Sequence, residues 1–145
     1  MDKMGEELFT LVMLSVFAWQ DEKKKCINIC MVFAAIAFAL LYKGFKADTE
    51  AADVILGAAV GLSMILAAVF SKEQIGLADG FVFIFTGIML GLWGNIILLF
   101  LSLGLSVIYA FYLIAVKKKS RKYEFAFLPF SLISYVAFLA MGGMV

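Results

Sequence analysis

The sequence contains no histidine, only two cysteines and a single proline. Without histidine, neither a Ser-His-Asp triad nor a histidine-ligated metal site can be built. Cys26 and Cys30 stand four residues apart, a spacing that predicts two small side chains on one helix face rather than a zinc site or a disulfide framework. Carboxylates are therefore the groups available for hydrolytic chemistry. We expect no metal and no cofactor.

Charge is also scarce in this chain. Charged residues make up 16% of the 145 residues, 65% are hydrophobic, and the mean hydropathy is +1.05. An ordinary soluble domain is about 25% charged and about 45–50% apolar, and a soluble fold of this size could not bury so much apolar surface. The composition predicts an all-α, polytopic membrane bundle that forms a single domain over residues 1–145. A net charge of +1 provides no field that would attract nucleic acid.

Hydropathy predicts six transmembrane helices. The apolar run from Phe81 to Val116 is too long for one crossing, because a helix of that length would extend about 54 Å against about 30 Å of hydrocarbon. Its break is predicted at Gly91–Asn95, where two glycines, a tryptophan and an asparagine occur together. The predicted spans are residues 8–19, 26–42, 54–70, 81 to the break, 96–116 and 125–145. The GxxxG patterns Gly57–Gly61 and Gly87–Gly91 predict close helix packing, either within the bundle or between two copies.

The distribution of basic residues predicts the orientation of these spans. Six spans place both termini on one side of the membrane. Nine of the 12 lysines and arginines fall in the loops after the first, third and fifth spans, and three fall on the other side. The positive-inside rule assigns the nine to the cytoplasm and both termini to the outside. The prediction is a multi-pass protein of the cytoplasmic membrane, with basic clusters that face anionic lipid.

Two aspartates then lie at cytoplasmic ends of spans. Asp21 follows the first span in a charged turn, and Asp79 comes just before the fourth span, between Gly76 and Gly80. Both positions suit ordinary helix caps, but ionisable residues near the membrane also mark functional sites. Two carboxylates held close together can share one proton and activate water. The glycines beside Asp79 offer a permissive backbone for a turn or for close packing.

Three short segments resemble motifs of the prepilin leader peptidases. Asp21–Asn28 resembles their Asp-x-x-x-x-x-Ile-Pro-Asn segment, and Gly76–Asp79 resembles their GxGD motif. Phe127–Phe130 is similar to their C-terminal proline-phenylalanine signature. The three segments keep the family's order and lie on one membrane side. The resemblance is to the short leader peptidases of tight-adherence pili and to the archaeal preflagellin peptidases.

The resemblance implies a membrane aspartic endopeptidase that removes the leader of prepilin-like proteins at the cytoplasmic face. Asp21 and Asp79 would be its catalytic pair. The expected substrate is inserted in the membrane and carries a short basic leader, followed by a cleavage site after glycine and then a hydrophobic helix. The expected substrate-positioning residues are Asn28, Gly76, Gly80 and Pro129.

Two alternatives stay open at this point. The chain could be a small non-enzymatic membrane protein, such as a transporter subunit or a pilus-assembly scaffold, in which the acids form a cation site or plain helix caps. It could also be a degenerate peptidase that keeps the fold without the activity. Ala78 replaces the second glycine of GxGD, and Asn28 stands at the family's proline position. The sequence predicts neither the oligomeric state nor the particular pilin.

Overall fold

The computed structural model describes residues 3–24, 28–46, 50–71, 77–118 and 127–142. Within these ranges every regular element is an α-helix, which confirms the all-α prediction. The helices are α1 (Lys3–Lys24), α2 (Ile29–Phe45), α3 (Ala51–Phe70), α4 (Leu77–Ala115) and α5 (Leu128–Ala140). Of the described helices, α3 and α4 are each long and apolar enough to cross a membrane.

Two helices extend further into their polar flanks than predicted. Helix α1 continues to Lys24, so Asp21 lies in its last turn and not in a turn after it. Glutamate and lysine are good helix formers, and the side chains of Glu22 and Lys23 are exposed, so this charged stretch stays helical in contact with solvent. Helix α4 begins at Leu77, which places Asp79 within its first turn.

Helix α4 consists of two arms joined at Gly91, within the predicted break. Gly91 has φ 81° and ψ −176°, a combination open essentially only to glycine. Beyond it, Asn95 bonds back to Thr86 and to the carbonyl oxygen of Phe83. Along a straight helix these two residues would be about 13 Å and about 18 Å away. The two arms therefore lie side by side and run antiparallel.

The second arm begins directly at Leu92, earlier than the predicted start at Ile96. Asp53, in the first turn of α3, accepts the backbone N–H of Leu92 at 3.0 Å through Oδ1. This bond satisfies one of the N–H groups that a new helix leaves without an intrahelical partner. A helix can consequently restart one residue after Gly91.

Helix α3 runs antiparallel along the first arm of α4 and contacts it through glycines. Gly57 faces Gly87, and Gly61 faces Gly80. At each of these four glycines an added Cβ would come within 3.0 Å of atoms of the facing helix. The GxxxG patterns thus form contacts within the bundle, where small residues let two helix backbones approach closely.

Asn95 joins three helical segments in the bundle core. Its side chain is fully buried. The Nδ2 group donates to the carbonyl oxygens of Gly57 and Phe83, each at 3.0 Å, and Oδ1 accepts from the Thr86 hydroxyl at 2.7 Å. The amide therefore holds both arms of α4 against α3.

Replacing Asn95 by alanine should lower the free energy of unfolding by about 1–2 kcal/mol, because it removes these interhelical hydrogen bonds from a buried site. The measurement is unfolding with a denaturing detergent in mixed micelles, followed by circular dichroism. The matched control is Ser63→Ala, since the exposed Ser63 hydroxyl bonds only within its own helix, to the carbonyl of Val60. Equal stability of the two variants would contradict a structural role for Asn95.

The remaining helices define two ends of the bundle. At one end, Asp21 of α1 contacts the first residue of α5, and we call this the aspartate end. At the opposite end, Glu6 of α1 forms ion pairs with Lys43, in the last turn of α2, and with Lys46, which follows that helix. On the same side, the Tyr135 hydroxyl of α5 donates to the Glu7 carbonyl at 3.1 Å. Helices α1 and α5 are therefore antiparallel neighbours that fix the position of the aspartate end.

Candidate active site

The last turn of α1 and the first turn of α4 bring Asp21 and Asp79 together at the aspartate end. Both side chains are partly buried, and they are close enough for the negative charge of Asp21 to act on the carboxyl group of Asp79. Among the described residues, no three acidic or cysteine side chains cluster in a way that could hold a metal ion. The arrangement is a pair of interacting carboxylates from two helices.

The N-terminus of α5 contributes hydrogen-bond donors to this pair. The backbone N–H of Leu128 donates to Asp21 Oδ2 at 3.0 Å, and the N–H of Phe127 donates to the same carboxylate. Pro129 follows at the second residue of α5, where its missing N–H removes no intrahelical hydrogen bond. The partial positive charge of the helix terminus also favours a neighbouring anion. The predicted span 125–145 has Pro129 near its start, but the sequence did not predict that this helix start binds Asp21.

Asn28 caps helix α2 and is also tied to the residue before Asp21. Its Oδ1 accepts the N–H of Cys30 at 3.0 Å, and its own N–H donates to Gln20 Oε1 at 3.0 Å. The Gln20 side chain also reaches Met31 of α2, with its Nε2 3.1 Å from the sulfur. Asn28 thus links the start of α2 to the end of α1 beside Asp21. The residue types of Asn28 and Gln20 do not predict that these two residues form a hydrogen bond.

Gly76 and Gly80 lie on either side of Asp79 in the sequence, and of these two glycines the structure describes Gly80. Gly80 is buried, and a Cβ added there would come within 3.0 Å of the Ile65 side chain of α3. Gly80 therefore lets the start of α4, with Asp79, lie close to α3. Gly76, predicted to position substrate, lies outside the described residues. Ala78 lies in α4, and Lys118 is the only described non-glycine residue with a positive φ, so the backbone at position 78 does not require glycine.

A family model described as the type IV leader peptidase family matches residues 8–114. The chain belongs to this family. No curated protein and no solved structure matches it. The family assignment predicted from the sequence is thereby confirmed over residues 8–114, and the segment Phe127–Phe130 lies beyond this match.

As a member of the type IV leader peptidase family, the protein is a peptidase. The family and the two long apolar helices together indicate a membrane protein. Both aspartates fall inside the matched range, whereas α5 lies beyond it. The hydrogen bonds from Phe127 and Leu128 to Asp21 are therefore observations of this structure alone.

Proposed function

We propose that the protein is a membrane aspartic endopeptidase that removes the leader of prepilin-like proteins at the cytoplasmic face. The observation that carries this proposal is the pair formed by Asp21 and Asp79, two partly buried carboxylates of which the first exerts its negative charge on the second. The peptidase family supplies the reaction class. With no histidine in the chain, two carboxylates that share a proton are the acid–base system the sequence offers.

The proposed topology has six crossings, with both termini outside. Its support is the reversal at Gly91, which turns the five described helices into six helical segments. The loops after α1, after α3 and after the second arm of α4 all leave from the aspartate end. These loops and the last turn of α1 together carry nine of the 12 basic residues. On the positive-inside rule, this distribution favours an aspartate end that faces the cytoplasm.

The first arm of α4 is short for a membrane crossing. From Asp79 to Gly91 the helix rises by about 18 Å, against about 30 Å of hydrocarbon. A bilayer accommodates a short span by local thinning. Such thinning would let water and a scissile peptide bond reach Asp79 at the membrane boundary.

The substrate we propose has a short basic leader, a glycine before the scissile bond and then a hydrophobic helix. The helix would lie in the membrane against the enzyme, and the leader would stay in the cytoplasm. Glu22 is exposed next to Asp21 and offers a negative charge to a basic leader. In the reaction, one carboxylate accepts a proton from water while the other, protonated, polarises the scissile carbonyl.

The alternatives are less well supported by the structure. A cation or proton pathway would place acids near the middle of the membrane, whereas Asp21 and Asp79 both lie in terminal turns of helices. A degenerate peptidase was suggested by Ala78 and by Asn28 at the family's proline position. The backbone at position 78 suits alanine, and Asn28 caps helix α2. The active peptidase is the proposal that fits these observations.

The test is co-expression of the chain with a candidate prepilin, followed by mass spectrometry of the pilin. The expected result is loss of the basic leader by cleavage after glycine, absent in cells with an empty vector. An intact leader across a panel of prepilins that carry this cleavage site would contradict the proposal and favour a scaffold or transporter subunit.

A further inference from the structure

Asp21 and Asp79 have unequal surroundings. Asp21 accepts the backbone N–H groups of Leu128 and Phe127 at the start of α5. Within the described parts of the chain, Asp79 accepts no hydrogen bond, and the described charged group that acts on it is Asp21. The two carboxylates are therefore not interchangeable.

This difference bears on which carboxylate keeps a proton. Hydrogen bonds donated to a carboxylate favour its charged form, and a nearby like charge disfavours a second ionisation. The N-terminal end of a helix adds a further attraction for negative charge. The other described charged side chains next to Asp21, those of Glu22 and Lys23, are exposed to solvent, where water screens their effect.

Resting on the proposed function, we infer that Asp21 is the ionised member of the pair and Asp79 carries the shared proton. The Leu128 and Phe127 N–H groups are positioning groups that keep Asp21 charged. In the first step, Asp21 takes a proton from water as the water oxygen bonds to the scissile carbonyl carbon. Asp79 gives its proton to the carbonyl oxygen, and a neutral gem-diol forms.

The second step restores both side chains. The C–N bond of the gem-diol breaks, and the leaving amine nitrogen takes the proton held by Asp21. A hydroxyl proton of the gem-diol passes to Asp79 as the new carboxyl group forms. One water molecule is consumed, and Asp21 is again charged and Asp79 again neutral.

The test is infrared or carbon-13 NMR spectroscopy of the full-length protein in lipid nanodiscs, with isotope-labelled aspartate carboxyl groups. Spectra of the wild type, Asp21→Asn and Asp79→Asn are compared at the pH where the wild-type pair holds one proton. The signal of a protonated carboxyl group should persist in Asp21→Asn and disappear in Asp79→Asn. Persistence only in Asp79→Asn or in both variants would overturn the assignment.

A backbone substitution tests the donor directly. Replacing the Leu128 amide by an ester removes the N–H that Asp21 accepts and leaves every side chain in place. The ionisation midpoint of Asp21 should then rise by about one pH unit or more, as expected for a hydrogen bond to a charged group. The matched control is an ester at Phe130, whose N–H bonds to the Phe127 carbonyl within the same turn. An equal shift in both esters would show that the Leu128 donor has no specific role.

These measurements need no substrate, so they fail separately from the proposed function. If both aspartates are required for cleavage but the proton resides on Asp21, the peptidase stands and the assignment falls. If Asp79 holds the proton but no prepilin is cleaved, the asymmetry of the pair stands and the function falls.

Discussion

Asp21→Asn and Asp79→Asn should each lower the rate of leader cleavage by about 10²–10⁴-fold, the range that a single acid or base contributes. Asparagine matches aspartate in shape but cannot accept a proton from water or donate one to the scissile carbonyl. Its side-chain oxygen can still accept the Leu128 N–H that binds Asp21. Both substitutions should therefore lower the rate of cleavage and leave the fold intact.

The measurement is initial-rate cleavage of a purified prepilin by each variant reconstituted in lipid, with helix content checked by circular dichroism. Glu22→Gln is the matched control, because it removes a neighbouring but exposed negative charge. It should keep cleavage within a few-fold of wild type, with any change confined to the binding of a basic leader. A variant at position 21 or 79 that cleaves at the wild-type rate would refute the two-aspartate mechanism.

Gly91→Ala should lower the free energy of unfolding by about 3 kcal/mol or more. The strained backbone conformation of Gly91 alone costs a non-glycine residue about 1–3 kcal/mol. In addition, the new Cβ would overlap the Asp53 carboxylate, the group that caps the second arm of α4 at Leu92. Both effects act at the point where the chain reverses.

The matched control for this prediction is Gly104→Ala, in the second arm of the same helix. A Cβ at Gly104 meets nothing within 4 Å, and its φ is not positive. Alanine is favoured over glycine inside a helix, so this variant should be neutral or slightly stabilised. Detergent-induced unfolding of the two variants gives the comparison, and equal midpoints would contradict the reversal at Gly91.

Local sequence features predicted much of the secondary structure. Apolar runs separated by short polar segments specified the helices, because helix formation and membrane burial depend on neighbouring residues. The break at Gly91 was also predictable, since a 36-residue apolar run from Phe81 to Val116 exceeds one crossing. The predicted positions of the helix ends were less accurate at Asp21 and Asp79. Helix α1 continues past its apolar run through good helix formers to Lys24, and helix α4 begins at Leu77, before its apolar run.

The candidate site required more than local patterns. The aspartates were found from their position beside apolar runs and from family motifs, but their proximity depends on how α1 and α4 pack. The role of Asn28 as the cap of α2, tied to Gln20, also depends on contacts between helix ends. A contact between side chains of two different helices produces no periodic pattern in the sequence, so it cannot be predicted from such a pattern.

The amino-acid sequence alone predicted an all-α, membrane-type chain whose available acid–base groups are carboxylates, with Asp21 and Asp79 as the candidate pair. The packing of the helices was needed to show that the charge of Asp21 acts on Asp79 and that the start of α5 donates hydrogen bonds to Asp21. Hydropathy patterns and helix propensity depend on residues that are close in the sequence, so helices and membrane spans can be predicted from the sequence. The bond from Leu128 to Asp21 joins residues 107 positions apart, and such a contact exists only once the helices have packed.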